Sequence, residues 1–223
     1  MIELARFPAA LVADVLDELG ATAQVLPPAL QLIVPPASGT LVGRARTLRF
    51  RMLPPAERFA AVARDKAAAS LRWRDDWGLV ANDIVVIGCD GGPHEVAQQG
   101  DLVALYYHRL GVVGVLADGY VRDAAELASI GLGVIARGTT PINGRGRLAR
   151  VGTGDPIDIG GVVVNDGDVI VADGDGCVIV PAALANGELV QKLADAHAAE
   201  QASAQMLREG SSLSDMFARH GRL

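Results

Sequence analysis

Asp101, Arg122 and Asp123 are the residues of this chain best placed by type and spacing to do chemistry. Residues 83–89 (DIVVIGC) and 112–117 read as buried strands. The loops after them carry Gly91, Gly92, Gly100 and Asp101 in one case, and Asp118, Gly119, Arg122 and Asp123 in the other. In an open parallel sheet, ligands gather beyond the carboxyl ends of the strands, so neighbouring strands would bring both loops to one edge. A helix begins after each loop, and helix N-termini offer unpaired N–H groups and a positive dipole end that suit a small carboxylate. Arg122 adds a guanidinium fork for the same anion. Asp101 and Asp123 add hard oxygen ligands for a divalent cation such as Mg2+ or Mn2+. An anion clamp beside a cation can hold a 2-oxo acid and stabilise its enolate. The same residues also have a purely structural reading. Asp123 with Glu126 three positions on has the spacing of a capping box. Asp101 after Gly100 fits a helix cap, and Arg122 fits a surface ion pair.

The elements that must carry these residues follow from periodicity. Residues 101–110 predict a helix with Leu102, Leu105, Tyr106 and Leu110 inward, ended by Gly111. Asp118-Gly119 reads as a turn, residues 121–130 as a second helix stopped by Gly131, and residues 134–136 as a third short strand. Strand, helix, strand, helix, strand implies parallel pairing through right-handed crossovers. Upstream, Leu11, Val12, Val15, Leu16 and Leu19 predict a helix between Pro8 and Gly20. A Pro-rich connector (26–36), a strand (40–50) and an amphipathic helix from Pro54–Pro55 through Phe59, Val62, Lys66 and Leu71 come next. In the last third, residues 161–165, 168–173 and 177–181 are short β-rich runs divided by Asp-Gly turns, which suggests an antiparallel or mixed subsheet. A helix over 181–208 and a polar tail (209–223) with Leu213, Met216 and Phe217 as apolar points close the chain. No composition break divides it, so residues 1–223 read as one α/β domain.

Composition narrows the function classes. With 223 residues, net charge −6 and 4% aromatic residues, the chain lacks both the basic surface and the stacking platforms of a nucleic-acid binder. No apolar run approaches the roughly 20 residues of a membrane helix, and MIELARFPAA lacks a signal-peptide pattern. Cys89 and Cys177 cannot form a disulfide framework or a CxxC metal site, and they read as buried thiols of a cytoplasmic protein. Lys66 and Lys192 are the only lysines, both in amphipathic helices away from the glycine loops. Covalent Schiff-base catalysis needs a lysine desolvated in its pocket, so an enolate route through a metal is favoured. Neither G-x-S-x-G nor HExxH occurs, and the Gly91-Gly92-Pro93 turn has no P-loop continuation. His94 lies in that turn, while His108, His197 and His220 read as surface residues. Asp118 could support the site or only close its turn. Asp173 and Asp175 look metal-like but fit turn chemistry better.

The D-x20-R-D pattern formed by Asp101 and Arg122-Asp123 resembles the motif of the RraA-like family, which contains 4-hydroxy-4-methyl-2-oxoglutarate / 4-carboxy-4-hydroxy-2-oxoadipate aldolases and regulators of ribonuclease E activity. Asp14-Val15-Leu16-Asp17, Gly43-Arg44-Ala45-Arg46-Thr47 and the DGDVIVADGDGCVIVP run over 166–181 also resemble family segments. The resemblance implies an α/β fold in a swivelling-domain-like β/β/α sandwich, with a central sheet flanked by helices. It implies trimers or dimers of trimers with sites at subunit clefts, the C-terminal helix and tail (about 181–223) serving oligomer contacts. It further implies a class II aldolase that uses Mg2+ or Mn2+, cleaves a 4-hydroxy-2-oxo diacid to pyruvate and decarboxylates oxaloacetate through the same enolate. On the matching positions, Asp123 would be the protein ligand of the metal, with water at most other positions. Arg122 would hold the pyruvate moiety, and Gly100, Asp101, Leu102 and Val103 would bind substrate through backbone N–H groups. Asp101 would also orient or deprotonate a water at the metal, with Glu126 a weaker acidic match. The other branch of the family implies a protein-binding regulator of an RNA-degrading enzyme, and a different acid in the same site is a third reading.

Overall fold

The computed structural model describes residues 2–36, 38–58, 72–92 and 94–220. Of the helix expected from Pro54, residues 59–71, with Phe59, Val62, Lys66 and Leu71, lie outside the described residues. After a 3-10 turn at Ile2–Arg6 the elements run α1 (Ala9–Glu18), β1 (Gln31–Val34), β2 (Leu41–Met52), α2 (Arg72–Asp75), β3 (Asp83–Asp90), β4 (Ala97–Gln99), α3 (Asp101–Arg109) and β5 (Gly114–Val121). They continue with α4 (Ala124–Ile130), β6 (Gly133–Thr139), β7 (Leu148–Thr153), β8 (Ile157–Ile159), β9 (Val162–Val164), β10 (Val169–Ala172), β11 (Cys177–Val180), α5 (Gly187–Arg208) and α6 (Leu213–His220). Nine strands form one sheet in the order β1-β6-β5-β3-β2-β10-β11, with β4 on β5 and β7 on β2. The expected parallel core is there: β3, β5 and β6 pair in parallel through α3 and α4 as crossovers, and β2 adds a fourth parallel strand beside β3.

Three layers follow from burial. The β8–β9 ribbon turns Ile157, Ile159, Val162 and Val164 onto one sheet face, against Leu41, Ile84, Leu116 and Ile135. Its Asp158 and Val163 stay outside, the period of two that a half-buried strand requires. On the other face α3 and α4 cover Val85, Ile87, Val115 and Ala117 with Ala104, Tyr107 and Leu127. β3 and β5 are therefore covered on both sides, which explains their uninterrupted apolar runs. α1 and α5 close the β10–β11 end, packing Val12, Leu16, Leu189 and Leu193 on Val171 and Val180. This is the expected β/β/α layering.

Three of the four segments that resemble the family serve this architecture. The first, within α1, buries Val15 and Leu16. In the second, Arg44 and Arg46 grip the fully buried Asp83 carboxylate at 2.8 and 3.2 Å, fixing the register of β2 on β3. Gly43 is needed there, because a Cβ would lie 2.7 Å from the Asn82 carbonyl oxygen. In the third, the buried Asp168 accepts from Asn165 and Ala182 N–H, and Asp173 from Ala9 and Asp175 N–H. Asp173 thus satisfies a free donor at the start of α1, and the turn reading of Asp173 and Asp175 holds.

Several expectations are corrected. α3 buries Ala104 and Tyr107 rather than Leu102 and Leu105, which are 74% and 50% exposed. The helix enters directly from β4, which fixes its phase and turns these leucines outward. Asp118-Gly119 does not end its strand, since β5 continues to Val121, and α4 begins only at Ala124 because Asp123 is left-handed. The Pro-rich connector contains β1, which pairs antiparallel with β6. β4, β7 and β8 were too short or too polar to be read. α5 starts at Gly187 because the Asn186 side chain caps it, accepting from Glu188 and Leu189 N–H, and the polar tail contains α6, with Met216 buried. Cys177 is buried, whereas Cys89 is only half-buried; both are free.

Candidate functional site

The site is built where two crossovers leave the sheet. β4 pairs in parallel with the end of β5, so that Gln99 lies opposite Val121, and the Arg122 N–H donates to the Gln99 carbonyl at 3.0 Å. One residue further along each chain, Gly100 caps α3 and Asp123 precedes α4. The Asp123 Oδ2 accepts from the Asp101 N–H at 3.3 Å and meets Arg122 Nε at 3.2 Å. Asp101, Arg122 and Asp123, separated by a whole crossover in sequence, therefore meet around Gly100.

Gly100 is required by contact and not by backbone freedom. Its φ is −139°, open to any residue, but a Cβ would sit 2.9 Å from both Arg122 Nε and Asp123 Oδ2. Asp123 carries the opposite signature, a left-handed backbone at φ 60° and ψ 44°. A non-glycine residue there is uncommon and strained, though Asp tolerates it better than most. The strain has a visible product. The Asp123 side chain makes no capping bond to α4, and no hydrogen bond joins it to Glu126 among the described residues. The capping-box reading is thus not realised; the carboxylate faces α3 and Arg122 instead. Asp101 is the first residue of α3, not its cap, and its Oδ1 accepts from the Leu102 N–H at 2.7 Å.

Of the backbone donors expected to face substrate, the N–H groups of Asp101 and Leu102 already have carboxylate acceptors, while Val103 packs its side chain toward the core. Arg122 and Asp123 keep about a third of their side-chain surface in solvent, 33% and 31%, so a small ligand can reach them. Sequence reasoning missed Gln99. Its buried side chain donates Nε2 to the Gly100 carbonyl at 3.0 Å while its own carbonyl takes Arg122, so it braces both halves of the turn. Nothing in the dipeptide Gln98-Gln99 signalled this, because the bracing depends on the β4–β5 pairing.

The other candidates lie apart from this cluster. The His94 ring stays in its own turn, 3.3 Å from the Asp90 carbonyl oxygen. Lys192 is exposed on α5, and Lys66 lies outside the described residues. Burial, then the nearby Asp90 charge, pushes the Cys89 thiol up to about 11, and burial raises Cys177 further. Neither behaves as a thiolate near neutral pH. A cavity of about 480 Å3, lined by Leu41, Val42, Asn82, His108, Val113 and Gly131, lies at the amino ends of the parallel strands, the opposite edge from the cluster. No helix among the described residues is long and apolar enough to cross a membrane.

A family profile described as Aldolase/RraA matches residues 9–179. The chain belongs to the RraA-like family. The match includes α1, the Arg44–Arg46 grip, the whole candidate site, β10 and all but the last residue of β11, and it stops before α5. A curated protein of Bacillus cereus, named "Putative 4-hydroxy-4-methyl-2-oxoglutarate aldolase", is 32% identical over 121 residues, covering 50% of this chain and 74% of that protein. Among solved structures, RraAS2 of Streptomyces coelicolor, titled a member of the RNase ES inhibitor RraA protein family, superposes with a TM-score of 0.73 at 27% identity, covering 91% of this chain and 95% of that one. An uncharacterized protein from Pseudomonas syringae pv. tomato superposes over 98% of this RraA-like chain and 92% of its own length, with a TM-score of 0.81 at 23% identity, and shares the fold.

Proposed function

We propose that this chain is a divalent-metal-dependent lyase that cleaves a 4-hydroxy-2-oxo diacid, of the 4-hydroxy-4-methyl-2-oxoglutarate type, to pyruvate, and decarboxylates oxaloacetate through the same enolate. The observation that carries the reading is the orientation of Asp123, whose carboxylate gives up capping its own helix, at the expense of backbone strain, to stand beside Arg122 and the start of α3. The name of the Bacillus relative supports the same class of reaction.

The donor set fits Mg2+ or Mn2+ held by one protein oxygen. Asp123 Oδ2 is occupied, while Oδ1 has no hydrogen-bond partner among the described residues. No group of three His, Cys, Asp or Glu converges into a cage among the described residues, so water would fill the cation's remaining positions. A bound cation supplies Lewis-acid polarisation of the 2-oxo group. Arg122, anchored through Nε, keeps its terminal NH2 groups for the substrate carboxylate and then for the charge growing on the enolate oxygen. The N-terminus of α3, from Gly100 to Val103, receives the same carboxylate once the Asp101 side chain swings off the Leu102 N–H. That swing brings the Asp101 carboxylate toward the reacting centre, where it takes the proton of the 4-hydroxyl, directly or through a water, as the C3–C4 bond breaks to a carbonyl product and the enolate, and the same proton then returns to C3 to give pyruvate.

The catalytic form is a homotrimer or hexamer, in which exposed Leu102 and Leu105 beside the site, and the α5–α6 end of the chain, are covered by neighbouring copies. Light scattering that finds only a 23 kDa species at micromolar concentration contradicts this assembly. The similarity to RraAS2 favours a second reading, a protein-binding regulator of a ribonuclease without catalysis. Pyruvate release separates the two. The lyase is active with Mg2+ or Mn2+, silent in excess chelator, and restored by metal. Inactivity towards 4-hydroxy-2-oxo diacids and oxaloacetate under all metal conditions, with tight ribonuclease binding, establishes the second. Full activity in chelator with borohydride trapping of a substrate adduct defeats the metal route.

A further inference from the structure

β5 reaches the site through a defect. In its pairing with β6, Ala117 lies opposite Ala136 and Tyr120 opposite Gly138, so Asp118 and Gly119 together face Arg137 alone. This is a β-bulge, which bends a strand and re-aims the residues after it. Three residues beyond Gly119 come Arg122 and the left-handed Asp123. The bulge is held from all sides. Arg137 places Nε and a terminal nitrogen each 2.7 Å from Asp118 Oδ1, and the Gly160 N–H donates to Oδ2 at 3.2 Å. Asp118 is 5% exposed. Gln98 of β4 lies against Gly119, where a Cβ would sit 2.9 Å from its amide, and donates to the Asp118 carbonyl at 3.4 Å.

A charge pair buried at this depth is an expensive way to stabilise a fold, since apolar residues of the same volume commonly do as well. Its value here is geometric. Each Asp118 oxygen has its own donor on a different element, Arg137 on β6 and Gly160 at the tip of the β8–β9 ribbon, so the extra residue in β5 has one conformation. We propose that Asp118 and Arg137 are positioning residues that lock this bulge and thereby deliver Arg122 and Asp123 to the Gly100 turn. The catalytic consequence rests on the lyase reading above, whereas the geometric one does not.

The test uses Arg137→Lys, which keeps the charge but loses the planar fork, and Asp118→Asn, which keeps the shape but puts an amide NH2 among three donors. Two readouts are taken on folded protein at 25 °C. In wild type the Arg122 Nε, 3.2 Å from Asp123 Oδ2 in an ion pair, gives a proton resonance whose shift and exchange rate report that contact. In both variants that resonance shifts and exchanges faster, and kcat for pyruvate release falls about tenfold or more, with KM changing less. Should Asp118→Asn fail to fold, Arg137→Lys decides the matter. Variants with a lowered melting temperature but a wild-type Arg122 Nε–H resonance and wild-type kcat overturn the proposal, because the pair is then merely structural. A wild-type protein that releases no pyruvate rejects the lyase reading, and the resonance arm still decides the positioning claim.

Discussion

Gly100→Ala isolates the geometry of the site from the stability of the fold. The backbone at Gly100 is extended, so alanine brings no torsional penalty, and as a poorer helix N-cap than glycine it lowers fold stability by only about 1 kcal/mol. The new Cβ, however, meets Arg122 Nε and Asp123 Oδ2 at 2.9 Å and Arg122 Cγ at 3.2 Å. Ordinary van der Waals separation is roughly 3.5 Å, so the pair must retreat by about 0.5 Å. The surroundings resist, because Asp123 is fixed by its left-handed backbone and Arg122 by the bond from its N–H to Gln99. Displacements near 1 Å at a reacting centre lower rates about 10²-fold, so a loss of ~10- to 10²-fold in kcat/KM is expected. Pyruvate release coupled to lactate dehydrogenase, at saturating Mg2+, measures the rate, and a thermal melt monitors the fold. A Gly100→Ala protein with wild-type activity refutes the claim that the Arg122–Asp123 pair at this turn is the reacting centre.

Arg122→Ala lowers kcat/KM by at least ~10²-fold, the scale of one lost oxyanion donor, and Arg122→Lys recovers only part of it; steady-state kinetics check both. Asp173→Ala strips the acceptor from the Ala9 and Asp175 N–H groups and lowers unfolding stability by about 1–2 kcal/mol in a denaturant titration, leaving the activity of the folded protein unchanged. The thiols respond to pH in a fixed direction. In the unfolded chain a thiol ionises near 8.5, whereas Cys89 in the fold ionises at about 11. Its stabilising contribution is therefore complete below about pH 8.5 and is lost as pH rises towards 11. Iodoacetamide labelling read by mass spectrometry should leave Cys89 and Cys177 nearly unmodified at about pH 8, with Cys89 reacting faster as pH approaches 11. Rapid modification of Cys89 at the lower pH contradicts this.

The parallel core was legible because both sides of β3 and β5 are buried, so their apolar runs need no partner pattern to be recognised. The pairing of Asp101 with Arg122-Asp123 was legible for a related reason, since adjacent parallel strands always bring their following loops to one edge. What lay hidden depends on pairing rather than on local sequence. β4 is three residues long and exists only against β5, so neither the Gln99 brace nor the reason for Gly100 could be read. The bulge made Asp118-Gly119 look like the end of a strand. Asp123 resembled a cap because spacing carries no information about a left-handed φ. Leu102 and Leu105 were placed inward because helical spacing gives the width of an apolar face but not its phase, which the exit from β4 decides.

The central claim is that Asp123 faces a cation and not its own helix, and a Mg2+ titration of pyruvate release by Asp123→Ala beside wild type tests it most directly. A metal-holding Asp123 gives a variant whose rate at low Mg2+ falls far below wild type and recovers in part as Mg2+ is raised. An Asp123→Ala protein that releases pyruvate at the wild-type rate with the wild-type Mg2+ dependence, and is less stable by the ~0.5–2 kcal/mol of a lost cap, would contradict the account.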